Sequence, residues 1–166
     1  MYTDRPKLQL PKTKIEWVFD CIGISLYLAA LVYLLVSWGS LPEQVPGHYN
    51  IAGEVDRWGS KYEILTLPIV GAFVGVTTFF IEKKPHIHNY PARLNEANAR
   101  AFYLNSRQLM NAVKNSCLVL FAVLTVQTVR IALGDAQSIG GWFMPLTFII
   151  TIGPIVRGLI VQSKIK

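Results

Sequence analysis

Apolar residues run almost unbroken through four stretches of the chain, at about 17–38, 62–81, 113–133 and 139–161, with polar segments between them. About 20 helical residues cross a hydrocarbon core of ~30 Å, so each run is of spanning length, the third only marginally. The pattern predicts an all-α integral membrane protein: one domain over 1–166 with four transmembrane helices. Trp17 and Trp38 bracket the first run as interfacial aromatics do. That run is too long for the apolar core of a signal peptide, so a permanent span is expected.

The boundaries carry their own signals. Thr13 and Glu16, then Ser60 and Glu63, have capping-box spacing and should open the first and second helices. Pro68 is tolerated inside a lipid-embedded helix. Gly71 and Gly75 form a GxxxG pair that suits close helix packing, either within the chain or in a homo-oligomer. Residues 82–112 read as a cytosolic loop that includes the polar, Asn-rich start of a long third helix, with Asn95 as its N-cap. Lys114 and Arg130 are expected to snorkel outward from the apolar part of that helix. A tight turn over 134–138 leads to the fourth helix, where Pro145 and Gly153-Pro154 predict kinks.

Charge fixes an orientation. With both termini in the cytosol, 13 of the 16 Lys and Arg residues lie on that side, and only Arg57, Lys61 and Arg130 lie opposite. This bias predicts a multi-pass protein of a bacterial cytoplasmic membrane, in contact with the lipid bilayer, with the 39–61 loop outside. The chain is basic, with a pI of about 9.4. Its basic residues flank apolar runs and form no single stripe, so no nucleic-acid partner is expected. Cys21 and Cys117 both fall near inner helix ends and suggest packing residues, not a disulfide.

The loop over 39–61 holds most of the candidate chemistry. Pro42 and Pro46 favour extended backbone before them. Residues 45–51 then read as extended chain, Ala52-Gly53 as a reversal, and 54–58 as a returning strand, giving a short hairpin or flap. Tyr49, Val55 and Trp58 are expected to pack down on the helix ends. The candidate ligand-binding set is Pro42, Pro46, His48, Asn50, Gly53, Glu54, Asp56 and Trp58. His48, Asn50, Glu54 and Asp56 suit either a polar pocket for a peptide or envelope component, a headgroup or a cation, or hydrogen bonding within the loop; His48 and Asp56 are expected to lie close together across the Gly53 reversal and form one polar site. One imidazole among scattered carboxylates is a poor zinc set, so neither a metal nor another cofactor is expected. His86 and His88 fall on the opposite side and read as a solvated turn.

Elsewhere the chain carries no HExxH, no GxSxG and no P-loop, which argues against an enzyme. Asp20 is an acid within a span, and such acids suggest function. Its place near the start of the first helix also suits the helix dipole, the reading preferred here. On the cytosolic side, Asn89, Pro91, Asn98 and Arg100 are the candidate contacts for a protein partner.

The stretch LPEQVPGHYNIAGEVDRWGSK resembles the signature of a membrane domain that forms the N-terminal part of SdpI-type immunity proteins. The matching positions are Leu41, Pro42, Pro46, His48, Asn50, Gly53, Asp56, Trp58, Gly59, Ser60 and Lys61. Asn89-Tyr90-Pro91 and Asn98 extend the likeness, which covers about residues 17–130. The resemblance implies a multi-helix protein of the bacterial cytoplasmic membrane, protection against a secreted peptide, and signalling through a repressor held at the membrane. It implies no catalytic residues. The expected function is a non-enzymatic binding or sensing module; a small transporter or transporter subunit is the alternative, and an intramembrane enzyme the third.

Overall fold

In the computed structural model, which describes residues 5–166, both capping boxes are formed. Thr13 caps α1 (Lys14–Ser37), which ends in a single 3-10 turn over Trp38–Ser40. Two antiparallel strands follow, β1 (Gln44–Tyr49) and β2 (Val55–Ser60), so the loop is a hairpin. Ser60 then caps a 3-10 turn, Lys61–Leu65, that leads into α2 (Thr66–Glu82). The two long helices that remain are α3 (Ala99–Ala132) and α4 (Phe143–Lys164). All four are long and apolar enough to cross a membrane.

The starts of α3 and α4 lie later than the sequence suggests. Asn95 and Asn98 each accept the other's backbone N–H through a side-chain oxygen, at 2.8 and 3.1 Å. That reciprocal box holds a turn, and the helix proper begins at Ala99. Residues 139–142 are not helical because Gly140 takes a φ of +93°, in the left-handed region. Ile139 instead donates its backbone N–H to Gly53 O at 2.9 Å, and Glu54 bridges to Ser138. The α3–α4 turn therefore clamps the tip of the hairpin. Pro154 removes an N–H from within α4, and Ser116 Oγ of α3 donates to the orphaned Ile150 O at 2.6 Å.

Helix α3 is the axis of the bundle, and α1, α2 and α4 all pack against it. Inward positions on α1 recur every three or four residues at Gly23, Tyr27, Ala30 and Leu34. Gly71 and Gly75 of α2 face this seam within the chain. A Cβ on Gly71 would meet Tyr27 and Phe121, and one on Gly75 would meet Leu118. The GxxxG pair is thus used for intramolecular packing. Outward residues such as Leu35, Phe73 and Ile149 are large and exposed, as a lipid-facing surface requires.

Two apolar clusters close the ends. Leu34, Leu41, Val45, Ile64 and Val129 pack beneath the hairpin. At the far end, Ala99, Phe102 and Tyr103 pack with Leu10, Tyr90, Leu94 and Ile165. The N-terminal segment, the α2–α3 connection and the C-terminus meet there: Arg5 donates to His88 O at 2.7 Å and Asn98 Nδ2 to Lys166 O at 3.1 Å.

Candidate functional site

The hairpin is built around Asn50. Its Oδ1 accepts the backbone N–H groups of Ala52 and Glu54 at 2.9 and 3.0 Å, and its amide donates to the Glu54 carboxylate at 2.9 Å. Gly53 reverses the chain with φ +81°, and the place of a Cβ there lies 3.1 Å from Gly140 O. Asn50, Gly53 and Glu54 are therefore committed to the turn and its clamp.

β1 is the inner strand and β2 the outer one. Val45 is fully buried, and the Tyr49 hydroxyl lies 2.8 Å from Thr128 Oγ1 of α3. Trp58 does not pack downward as expected; it sits on the outer strand opposite Pro46 of β1 and is 50% exposed. Pro42 is also exposed. The pairing register shifts on both sides of His48, which sits opposite Arg57. This irregularity lets His48 Nδ1 reach Asp56 Oδ1 at 2.7 Å. Both side chains are well exposed, so as an ion pair they contribute at most about 1 kcal/mol to stability. Their geometry orients one imidazole.

Between β1 and helices α2 and α3 lies a cleft of about 390 Å³. Ile64, Leu67 and Leu124 give it apolar walls, and His48, Arg57 and Glu63 give it charge. Arg57 Nη2 donates to Glu63 at 2.9 Å and to Gly47 O at 2.8 Å. Of the eight candidate ligand residues, Pro46 and His48 line this cleft and Asp56 holds His48. Arg57, Glu63 and Thr128 are lining residues that the loop pattern alone did not select.

The opposite end holds a second polar site, formed by α1, α2, α3 and the N-terminal segment. Lys114 does not snorkel outward. It is 3% exposed, and its Nζ donates to Glu82 at 2.5 Å and pairs with Asp20 at 2.9 Å. Asp20 serves more than the α1 dipole: its Oδ1 also accepts from Asn111 and Asn115, both at 2.8 Å. Arg107 binds Glu16 through two bonds of 2.8 and 2.9 Å, and donates to the backbone carbonyls of Leu10 and Pro11. Lys12 closes the set by pairing with both Asp20 and Glu82. Glu16, Asp20 and Glu82 thus face Lys12, Arg107 and Lys114, three charges of each sign, as burial demands.

The sequence carried a signal for this cluster. Glu16 and Asp20 are four apart, and Arg107, Asn111, Lys114 and Asn115 recur at helical spacing on one face of α3. A polar stripe in phase with the inward apolar positions of the same helix marks an internal site. Of the candidate partner contacts, Asn98 is buried and bonded to Arg93 O and Lys166 O, whereas Asn89 and Arg100 are exposed and Pro91 is half-buried.

Lys12 gives this cluster a pH signature. Burial pulls its pKa down, but the bonds to Asp20 and Glu82 outweigh that, and the net value stands above the ordinary 10.5. Stabilisation from a cation with a raised folded-state value is complete below its unfolded value and is lost as pH rises through the folded one. Lys12→Met should therefore be less stable than the parent at neutral pH, with the gap narrowing above about pH 10.5. Unfolding in detergent from about pH 8 to about pH 12 checks this; a constant gap would remove Lys12 from the cluster's energetics.

Comparison with known proteins finds no solved structure that matches the chain. An uncharacterised protein of Archaeoglobus fulgidus is 37% identical over 88 residues, covering 51% of this chain and 46% of its own length. The chain thus spans about half the length of that relative. Residues 26–72, which run from mid-α1 through the hairpin into α2, match the family described as a domain of unknown function, DUF1648.

Proposed function

We propose that the protein is a non-enzymatic binding or sensing module of a bacterial cytoplasmic membrane, whose hairpin cleft takes a peptide or an envelope component. The observation that carries this reading is the cleft itself, with apolar walls, the Asp56-held His48 and the Arg57–Glu63 pair. An extended peptide or an amphiphile needs that combination of apolar area and a few placed polar groups. The excess of basic residues at the other end supports a hairpin facing outward and termini in the cytosol. The likeness of the loop to SdpI-type proteins supports a peptide as the ligand class. Asn89, Pro91 and Arg100 then offer the cytosolic contact for a protein partner.

The test is capture of secreted peptides and envelope extracts on the full chain in nanodiscs, followed by a double-mutant cycle on the captured ligand. His48→Ala and Asp56→Asn should each weaken binding by about 2–5-fold, with the double variant costing less than the sum. Ligand binding indifferent to both changes would end the cleft reading.

The buried charge cluster favours one second reading, transport. Ionisable groups inside a membrane bundle commonly line ion or proton paths. Proteoliposomes separate the two, because the binding module moves no solute and Lys114 variants would alter flux only in a transporter.

A further inference from the structure

A lateral cleft runs between α1 and α4 along one face of α3. Its inner chamber, about 340 Å³, is lined by Phe19, Ile22, Ala112, Val119, Ile149 and Ile150 among others. Next to it, towards the end away from the hairpin, lies a mouth of about 260 Å³ that shares Phe19, Ala112 and Pro154 with the chamber. Gln108 and Arg157 line the mouth, as does Glu16, whose charge is already matched by Arg107. Arg157 stands outside the charge cluster. It is exposed, it lies about two turns inside the end of α4, and it has no hydrogen bond or ion pair among the described residues.

We propose that this cleft is a binding site for an anionic phospholipid, with the phosphate at Arg157 and an acyl chain in the chamber. A guanidinium is suited to phosphate and stays charged at any physiological pH. An unpaired one at interface depth, opening onto an apolar groove, complements a phosphate that carries hydrocarbon, and free phosphate would leave the chamber unfilled. The rear wall is fixed, since the Ser116–Ile150 bond ties α3 to α4 beside Pro154. Basic pockets between membrane helices are recurrent headgroup sites.

The experiment is native mass spectrometry of the full chain, taken into mild detergent from vesicles of equal phosphatidylglycerol and phosphatidylcholine with matched acyl chains. One phosphatidylglycerol should be retained in preference to phosphatidylcholine. Arg157→Gln should lower that retention by about fivefold, the effect of a single basic contact at a membrane surface, while Lys164→Gln leaves it unchanged. Val119→Phe, which fills the chamber, should lower retention of both lipids; if that variant does not fold, Ile149→Trp at the opposite wall serves instead. Equal retention of the two lipids, or Arg157→Gln behaving as the parent, would show ordinary annular contact and overturn the proposal. Stabilisation by inorganic phosphate equal to that by phosphatidylglycerol would overturn the lipid as occupant.

Discussion

Lys114→Met should lower the stability of the folded chain by about 3–5 kcal/mol, the largest loss expected from any single charge removal in this protein. Methionine keeps the length and apolar bulk of the lysine stem, so the change isolates the ammonium. That ammonium lies 2.5 Å from Glu82 and 2.9 Å from Asp20, and all three side chains are buried. Without it, Lys12 alone must balance two carboxylates, and one negative charge is left uncompensated in a medium that solvates it poorly. Neutral hydrogen bonds inside a membrane average only about 0.6 kcal/mol, because the unfolded state in the bilayer finds other partners. A net charge has no such substitute within the bundle, so the larger figure governs. Reversible unfolding in detergent measures the loss, and Lys114→Met combined with Glu82→Gln should recover most of it. A single-variant loss below about 1 kcal/mol would show that the cluster is solvated in the folded protein.

Gly71→Leu should prevent the α1–α2–α3 seam from closing, and even Gly71→Ala should cost about 1–3 kcal/mol. A Cβ at this position would lie 2.8 Å from a ring carbon of Tyr27 and 2.9 Å from Cβ of Phe121. Phe121 Cβ is anchored to the backbone of α3. Tyr27 is held by its hydroxyl, which donates to Pro68 O, so neither neighbour can yield without moving a helix. Gly75 is the internal control. A Cβ there would meet Leu118 Cδ2 at 2.9 Å, the free end of a flexible side chain that can change rotamer. Gly75→Ala should therefore cost less than Gly71→Ala, and Gly153→Ala, with open space around it, should cost nothing measurable. Thermal unfolding of the three variants checks the order. Equal effects at Gly71 and Gly75 would contradict the packing described here.

The segment that matches DUF1648, residues 26–72, contains the hairpin with its turn glycine Gly53 and one of the two seam glycines, Gly71, but none of the six charges of the cluster. The narrower match sets the hairpin end apart from the charged end. A loop held by Asn50 and clamped by Gly53 to Ile139 is rigid enough to present His48 and Arg57 in fixed places.

What depends on local chemistry is legible in the residue pattern. Run length picks out four helices long and apolar enough to cross a membrane, the form in which a backbone in hydrocarbon satisfies its own hydrogen bonds. Thr13, Ser60 and Gly53 act through neighbours within a few residues, so the capping boxes and the hairpin reversal were legible from spacing alone. Tertiary structure decided whatever needed a partner far along the chain. Lys114 reads as an interfacial cation until Asp20 and Glu82 are brought beside it from two other helices. Trp58 reads as a packing residue until β1 takes the inner position and leaves β2 outside. His48 and Asp56 were expected to meet across the Gly53 reversal, and they do at 2.7 Å, whereas the register shifts on both sides of His48 were not foreseen. For Lys114 the cause lies in the bundle: hydropathy fixes which face of a helix avoids lipid, whereas the identity of a buried partner is set by the packing of whole helices, which close contacts such as that at Gly71 determine. For Trp58 it lies in which strand of the hairpin docks on the helices, which alternation along one strand does not specify.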